Sequence, residues 1–315
     1  MDFLITGGAG FIGSHLVESL VSQGHNITII DDFNDYYDPS IKRNNISAIL
    51  ESLQVIKGDI RDSDLVDRTF SQNKFDTVVH LAARAGVRPS IVDPKLYLTT
   101  NVDGTFNLLE SCKNHNVHRF TLASSSSVYG VNKKVPFSED DRIERTISPY
   151  ASTKIAAEQI CSSYSHLFDI RTTCLRFFTV YGPRQRPDLA IAKFTKLIKA
   201  GLPIDQYGNG STARDYTYID DIISGVLAAI TYDKKDFDVF NLGGSATTTL
   251  ATLISIIEKA VGKKSIINQM PEQPGDVPKT FADTSKSERL LSYKPQTSIT
   301  EGIKKYVDWT NQQIL

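Results

Sequence analysis

The stretch T-G-G-A-G-F-I-G-S-H-L, Thr6 to Leu16, decides how the rest of the chain is read. It sets Gly8, Gly10 and Gly13 in G-x-G-x-x-G, and Gly7, Gly10 and Gly13 in G-x-x-G-x-x-G. A glycine pattern alone is a weak signal. Here it follows the β-rich run "DFLIT" and opens a helical pattern through "SHLVESLVSQG", the context that gives it meaning. Glycines allow the tight turn and let the backbone approach a pyrophosphate, which then rests on the positive end of a helix. Gly7, Gly10, Phe11, Ile12 and Gly13 are the candidates for that contact. The next run, "NITIID", ends in Asp31-Asp32, with Asn34 just beyond. An acid there can bond the adenosine ribose hydroxyls and would repel a 2′-phosphate, so NAD is expected rather than NADP. The competing reading is a glycine-rich turn with no ligand, and motif, context and acid together weigh against it.

Outward from this turn, "LQVIKGD", "FDTVVHLA" and "HRFTLASS" alternate with amphipathic segments. These runs are nearly continuously apolar, as strands of a parallel sheet are when helices cover both faces. The alternation predicts right-handed βαβ crossovers and an α/β, doubly wound parallel sheet of the Rossmann type. "IRTTCLRFFTVYG" continues the series as one strand. After Gly182 come a polar turn "PRQRPD", a helix "LAIAKFTKLIKAG", a loop "LPIDQYGNGST", a strand and helix in "RDYTYIDDIISGVLAAIT", and a strand "DVFNLGG". A helix near 248–262, a strand near 264–268, a loop and two short helices complete the pattern. No flexible linker divides the chain, so a smaller α/β substrate domain is expected to interleave with the first. The expected partition is 1–180 plus about 214–245 for the cofactor, and 181–213 plus 246–315 for the substrate.

Composition removes several classes of function. With 315 residues, 40% hydrophobic and 23% charged, the chain is an ordinary globular protein. Its net charge of −1 leaves no footprint for nucleic acid or an anionic membrane. Cys112, Cys161 and Cys174 are far apart, odd in number and in no metal spacing, and the six histidines form no cluster. No metal is expected, and a reduced, cytoplasmic setting fits the cysteines. "MDFLITGG" reads as a strand entering a turn rather than a leader, and no apolar run approaches the roughly 18 residues of a membrane span.

A second stretch carries chemistry. "SPYASTK", Ser148 to Lys154, offers an N-cap serine and a proline that needs no N–H partner, then Tyr150 and Lys154 on one helix face. Tyr-x-x-x-Lys arises often by chance. Tyr129 and Lys133 repeat the spacing with Gly130 inside it, which argues for a loop. What decides for Tyr150 and Lys154 is their company.

That company includes "GDIRD", "VVHLAA", "NVDGTFNLLE", "ASSSSVYG", "LRFFTVYGPRQRPD", "RDYTYIDDI" and "FNLGG", which run through most of the chain. With the glycine turn and "SPYASTK" they resemble the extended short-chain dehydrogenase/reductase family in its nucleotide-sugar branch. Within that branch they are most similar to UDP-glucuronate 4-epimerases, through "AGVRPS", "SSSSVYG" and "FFTVYGP..RPD". The resemblance implies that Tyr150, Lys154 and Ser125 are catalytic. It implies that Asp59 and Ile60 flank adenine, and that Leu81, Ala82 and Ala83 lie beside the cofactor phosphates and ribose. Asn34, Asn101 and Phe177 fall at further cofactor positions, and Gln206 and Tyr207 at substrate positions. Arg214 matches an arginine on the UDP phosphates and Asp276 a carboxylate near the uridine ribose. Gln273 stands where several relatives carry arginine, which puts one diphosphate contact in doubt. A homodimer built through helices is implied as well. In such sites the Lys154 ammonium and the oxidised nicotinamide are expected to lower the Tyr150 pKa, so that a phenolate takes the sugar 4-hydroxyl proton while Ser125 shares the bond to that oxygen.

The reaction is read from what is missing. Dehydratases and decarboxylases of this branch carry an acid before "VYG", and here Ser125, Ser126 and Ser127 occupy those positions. That favours plain epimerisation at C4 through a 4-keto intermediate; Ser126 and Ser127 could also simply pack a strand end. Arg88 and Arg186 sit on loops after strand ends, the ligand-facing edge of such a sheet, and an arginine fork suits a carboxylate. The resemblance puts Arg186, with Thr179 and the serines, beside a C6 carboxylate. Arg88 suits a diphosphate nearly as well, and Arg184 is read as a solvated surface charge or a salt bridge. UDP-glucuronate converted to UDP-galacturonate is the expectation. UDP-glucose 4-epimerase and UDP-glucuronate decarboxylase are the alternatives. An NAD-sensing module would have lost the Tyr or Lys of the pair.

Overall fold

The computed structural model describes residues 1–244, 246–271 and 277–313. The strands are β1 (Asp2–Thr6), β2 (Asn26–Asp31), β3 (Leu53–Lys57), β4 (Thr77–His80), β5 (Arg119–Ser125), β6 (Arg171–Phe177), β7 (Thr179–Tyr181), β8 (Pro203–Tyr207), β9 (Ala213–Tyr218), β10 (Phe237–Leu242), β11 (Thr247–Thr249) and β12 (Ile266–Met270). Between the first five strands run α1 (Phe11–Ser22), α2 (Pro39–Ile46), α3 (Ser63–Gln72), α4 (Val87–Val92), α5 (Pro94–Leu98) and α6 (Gly104–Asn114). The remaining helices are α7 (Pro149–Phe168), α8 (Ala190–Ala200), α9 (Ile219–Ile230), α10 (Leu250–Val261), α11 (Ser285–Leu291) and α12 (Ile299–Gln312).

Seven strands form one parallel sheet in the order β10-β6-β5-β4-β1-β2-β3. This is the doubly wound α/β architecture. The alternating side chains of its strands explain why both faces are covered. Phe3 and Ile5 pack into a core with α1, α9 and α12 residues such as Leu16, Ile222 and Ile303. Leu4 and Val78 pack on the other face with Val66, Leu108 and Cys161 from α3, α6 and α7. Each fully buried Leu or Ile contributes roughly 1.5–3 kcal/mol, so neither face can be left wet. The order reverses between β1 and β4, and a crevice opens beyond their carboxyl ends, where ligands of such sheets bind.

Two smaller sheets depart from the expectation. The run read as a single strand breaks at Phe178. β6 stays in the main sheet, and β7 joins β9 and β11 in a three-stranded sheet. Phe178 turns into a separate cluster with Val128, Tyr129 and Phe137, and that burial breaks the strand. The stretch "LPIDQYGNGST", read as a loop, contains β8, which pairs in parallel with β12. Its short polar sequence takes strand form only because a distant partner supplies the hydrogen bonds. The final helix, read as short, runs fourteen residues and is capped by Ser298 on Glu301 N–H.

Candidate active site

The glycine turn closes on itself, on β2 and on the segment that follows β4. The Gly7 N–H donates to Ile30 O at 2.7 Å and the Gly10 N–H to Gly7 O at 3.0 Å. Gly7 has φ +70, and a Cβ there would meet Ala82 N at 2.8 Å; one on Gly13 would run into Gly7 O. The turn therefore brings backbone to the N-terminus of α1 as closely as a chain can. The Ala9 N–H donates to Asp31 Oδ2 at 3.2 Å and the Phe33 N–H to its Oδ1 at 2.9 Å. Lys42 Nζ, itself buried, lies 3.4 Å from Asp31 and 3.6 Å from Asp32. Burial pushes the Asp31 carboxyl up from its ordinary value and Lys42 pulls it back.

α7 begins as its sequence demands. The Ala151 N–H donates to Ser148 Oγ at 3.2 Å, Pro149 takes the first turn, and Tyr150 and Lys154 project from one face. Lys154 Nζ donates to Ala123 O at 2.8 Å, fixing the helix to the end of β5, and burial lowers its pKa to about 8. The Tyr150 phenol is pushed up by burial; a hydrogen bond with Ser125 and the charge of Arg186 act in the opposite direction. The Arg186 guanidinium is one cation that favours the Tyr150 phenolate.

One cavity unites most of the expected residues. Its walls include Gly7, Gly10, Phe11, Ile12, Gly13, Asp31, Asp32, Asn34, Asp59, Ile60, Leu81, Ala82 and Ala83 at one end, and Ser125, Tyr150, Lys154, Phe177, Thr179 and Arg186 at the other. Ser126 and Ser127 lie beside this wall rather than in it, and the Ser127 N–H donates to Ser125 Oγ at 3.2 Å. Arg88, Gln206, Tyr207 and Arg214 are outside the cavity. The Arg88 guanidinium lies over the Tyr207 ring at 5.7 Å, and Gln206 Nε2 donates to Gln269 Oε1 at 3.3 Å. Gln273 and Asp276 fall outside the described residues. Arg184 pairs with Glu18 at 2.8 Å, one of the two surface roles expected of it. Tyr129, in the competing Tyr-x-x-x-Lys, is buried and donates to Asn241 Oδ1 at 2.6 Å, ahead of Gly130 at φ +53.

Asn101 is buried and does not line the cavity, and its side chain is hydrogen-bonded within the protein. It sits in a π-helical turn, Thr99–Asp103, where Oδ1 accepts from the Arg84 N–H at 2.8 Å and Nδ2 donates to Arg84 O and Thr153 Oγ1, each at 3.0 Å. Thr153 Oγ1 in turn donates to Tyr150 O at 2.8 Å. Behind it runs an ordered chain. The Ala82 N–H donates to Thr6 Oγ1 at 3.2 Å, and His80 lies between Thr6 Oγ1 at 2.7 Å and Thr105 Oγ1 at 3.0 Å. Thr105 spends its proton on Asn101 O at 2.7 Å, so it must accept from His80 Nε2–H, and Thr6 must donate to Nδ1. Burial drives the His80 pKa down to about 3, consistent with that neutral tautomer. The glycine turn and α7 are thereby tied through one file of hydrogen bonds.

Sequence reading missed Tyr36, Tyr37, Lys42 and Arg84, which also line the cavity, and Asp188, which pairs with Arg186. The aromatic pair after the acids in "DDFNDYYD" and the acid in "RPD" were the signals available.

A Rossmann sheet, a glycine turn answered by an acid, and a Ser–Tyr–Lys set at one cavity define a nucleotide-dependent enzyme of the short-chain dehydrogenase/reductase class. The family model described as GDP-mannose 4,6 dehydratase matches residues 4–306, and the chain belongs to that family of extended short-chain dehydrogenase/reductases. It is 39% identical over 332 residues to a probable UDP-glucuronate 4-epimerase of Rhizobium meliloti, covering 99% of this chain and 97% of the relative. A crystal structure of UDP-glucuronic acid 4-epimerase from Bacillus cereus, in complex with UDP-glucuronic acid and NAD, superposes with TM-score 0.93 at 38% identity, covering 99% of this chain and all of that one. A UDP-glucose 4-epimerase from Thermotoga maritima with UDP-glucose superposes with TM-score 0.92 at 30% identity, each chain fully covered.

Proposed function

We propose that this protein is an NAD-dependent isomerase that inverts C4 of UDP-glucuronate to give UDP-galacturonate. The observation that carries the uronate reading is Arg186 in the wall beside Tyr150, with no acid among Ser125, Ser126 and Ser127 to drive elimination.

NAD fits the residues present. A Cβ at Gly7 or Gly13 would run into neighbouring backbone, so only glycine permits the tight turn that presents bare backbone to a pyrophosphate, and Asp31 closes the adenosine side with an acid that disfavours a 2′-phosphate. Asp59 and Ile60 would border the adenine, and Leu81 to Ala83 the phosphates and ribose. NAD, when bound, supplies the hydride acceptor and donor at C4. Every other task falls to the chain. Tyr150 takes the 4-hydroxyl proton and returns it to the same oxygen once the keto sugar has presented its other face for reduction, and Ser125 shares the hydrogen bond to that oxygen. Lys154 at about 8 is charged at neutral pH and braces β5 against α7. Arg186 with Thr179 and the neighbouring serines would hold the C6 carboxylate, by charge-assisted hydrogen bonds that fix one rotamer. The 4-keto acid formed in turnover is a β-keto acid and loses CO₂ when its C5–C6 bond aligns with the carbonyl π system. That hold therefore protects the product. Arg88, Gln206, Tyr207 and Arg214 would receive the UDP moiety.

Residues 1–180 plus about 214–245 carry the cofactor in this reading, and 181–213 plus 246–315 the nucleotide sugar. All seven strands of the main sheet fall in the first set and the β8–β12 pair in the second, which supports it. Exposed Leu98, Phe106, Leu167 and Phe168 on α5, α6 and α7 offer an apolar face to a second copy of the chain. A sedimenting mass near that of one 35.0 kDa chain would exclude this dimer. No helix among the described residues is long and apolar enough to cross a membrane. The three buried thiols, all unpaired, suit a reducing cytoplasm.

The experiment is direct: incubation of the purified protein with UDP-glucuronate should yield UDP-galacturonate with little pentose product, and a C4 deuterium should be retained. Equal turnover of UDP-glucose would hand the reading to a neutral-sugar epimerase.

A further inference from the structure

Arg186 does not wait bare for a substrate. Its Nε donates to Asp188 Oδ1 at 3.0 Å and its Nη2 to Asp188 Oδ2 at 2.8 Å, a two-pronged contact along one edge of the guanidinium. Its guanidinium lies over the Tyr36 ring at 5.3 Å. The loop is braced from behind, by Arg184 on Glu18 at 2.8 Å and by His15 Nε2 at 3.0 Å from Pro183 O. A guanidinium has five N–H groups, and Asp188 engages two. Three remain on the other edge, enough for a second carboxylate.

We propose that Asp188 is a positioning and specificity residue, an internal counter-anion that holds Arg186 by one edge and competes with the sugar carboxylate for its charge. This rests on the uronate reading and deepens it. An epimerase must let its 4-keto sugar turn over between removing and returning hydrogen at C4. A carboxylate gripped too firmly in the ground state would resist that turn, and a partly buried arginine that released it would be left uncompensated. With Asp188 attached the arginine keeps a partner at every stage, and the repulsion between two carboxylates on one guanidinium weakens the hold on the sugar. The Asp188 side chain is 40% exposed to solvent.

Asp188→Asn keeps the shape and one acceptor and removes the charge. The expected result is unusual for a damaged enzyme: the KM for UDP-glucuronate falls at least about threefold and kcat falls as well, the pattern of a ground state held too well. The KM for UDP-glucose should not fall. Asp188→Glu should restore both constants toward wild type, because the charge returns. NAD content and thermal midpoint check the fold of each variant, and Asp188→Ser serves in the same assay if the asparagine variant does not fold. An unchanged or raised KM for UDP-glucuronate in a folded variant overturns the proposal. Failure of the uronate reading is separately visible, since wild-type enzyme would then turn over UDP-glucose and UDP-glucuronate alike before any variant is compared.

Discussion

The two ends of the cavity are built in opposite ways. At the nucleotide end, Gly7 to Gly13 and Asp31 to Asn34 come from one strand–helix–strand unit, and their hydrogen bonds are short-range or run between neighbouring strands. At the sugar end, Ser125, Tyr150 and the pair Thr179 and Arg186 arrive from three separate segments, and Arg88 meets Tyr207 across more than a hundred residues of chain. A pyrophosphate asks for bare backbone and a helix terminus, which a local motif can encode. A particular sugar asks for side chains converging from several directions, and only the tertiary fold provides that.

The largest effect is expected where the two ends meet. Tyr150→Phe removes the proposed base at the cost of one hydroxyl and leaves the packing of its ring against Tyr97 intact. Turnover should fall by about 10²–10⁴-fold, with NAD and UDP-sugar binding retained. Retention of more than about a tenth of wild-type activity would place the base elsewhere. Because Tyr150 lies in the first turn of α7, that loss tests chemistry without disturbing either end's architecture.

Arg186→Ala sharpens the contrast from the sugar side. It should slow epimerisation and raise the share of UDP-4-keto-pentose, accompanied by NADH, while bound NAD is unaffected. Product chromatography with absorbance at the NADH band reads both. An unchanged product ratio would mean that the carboxylate is held by something other than this arginine. The expected drop is smaller than for Tyr150, since the base remains, and losing a charge-assisted hydrogen bond amounts to about 1.5–3 kcal/mol.

The same contrast explains what the sequence disclosed. The glycine turn, the acids after β2 and the N-cap of α7 were all legible, because each is a local pattern with a local cause. So were the main sheet's strands, whose continuous apolar runs follow from burial on both faces. β8 was not, because "PIDQY" is polar and depends on β12 for its bonds. Asp188 was visible as a residue and unreadable as a partner. "RPD" says nothing about whether an acid two positions on will fold back along the guanidinium. Lys42 escaped for a related reason. It stands on α2, outside the glycine motif, and reaches Asp31 only once that helix is laid beside the turn. Asn101, given a cofactor position by the resemblance, makes three side-chain hydrogen bonds with Arg84 and Thr153, partners that its sequence surroundings did not disclose.

The smallest effect concerns the file of hydrogen bonds joining the two ends, and it is a matter of pH. His80 is fully buried between two threonines, and its pKa falls from an ordinary 6.5 to about 3 in the folded protein. The unfolded chain therefore binds a proton that the folded one refuses throughout the window from about 6.5 down to about 3. Stability contributed by neutral His80 is present above 6.5 and lost as pH falls through that window; above it the slope vanishes. Between pH 7 and pH 6 the loss from this group should be roughly 0.7 kcal/mol. His80→Asn can no longer titrate there. The variant will be less stable than wild type at both values, since Thr6 and Thr105 lose a fitted partner, but the gap between the two proteins should narrow by about that amount at pH 6. Urea unfolding at the two pH values measures it, and every other titrating group cancels in the difference. A gap that stays constant would mean that His80 accepts a proton in the folded state. The ordered chain from Ala82 to Tyr150 would then not depend on its neutral tautomer, and the two ends would be coupled by packing alone.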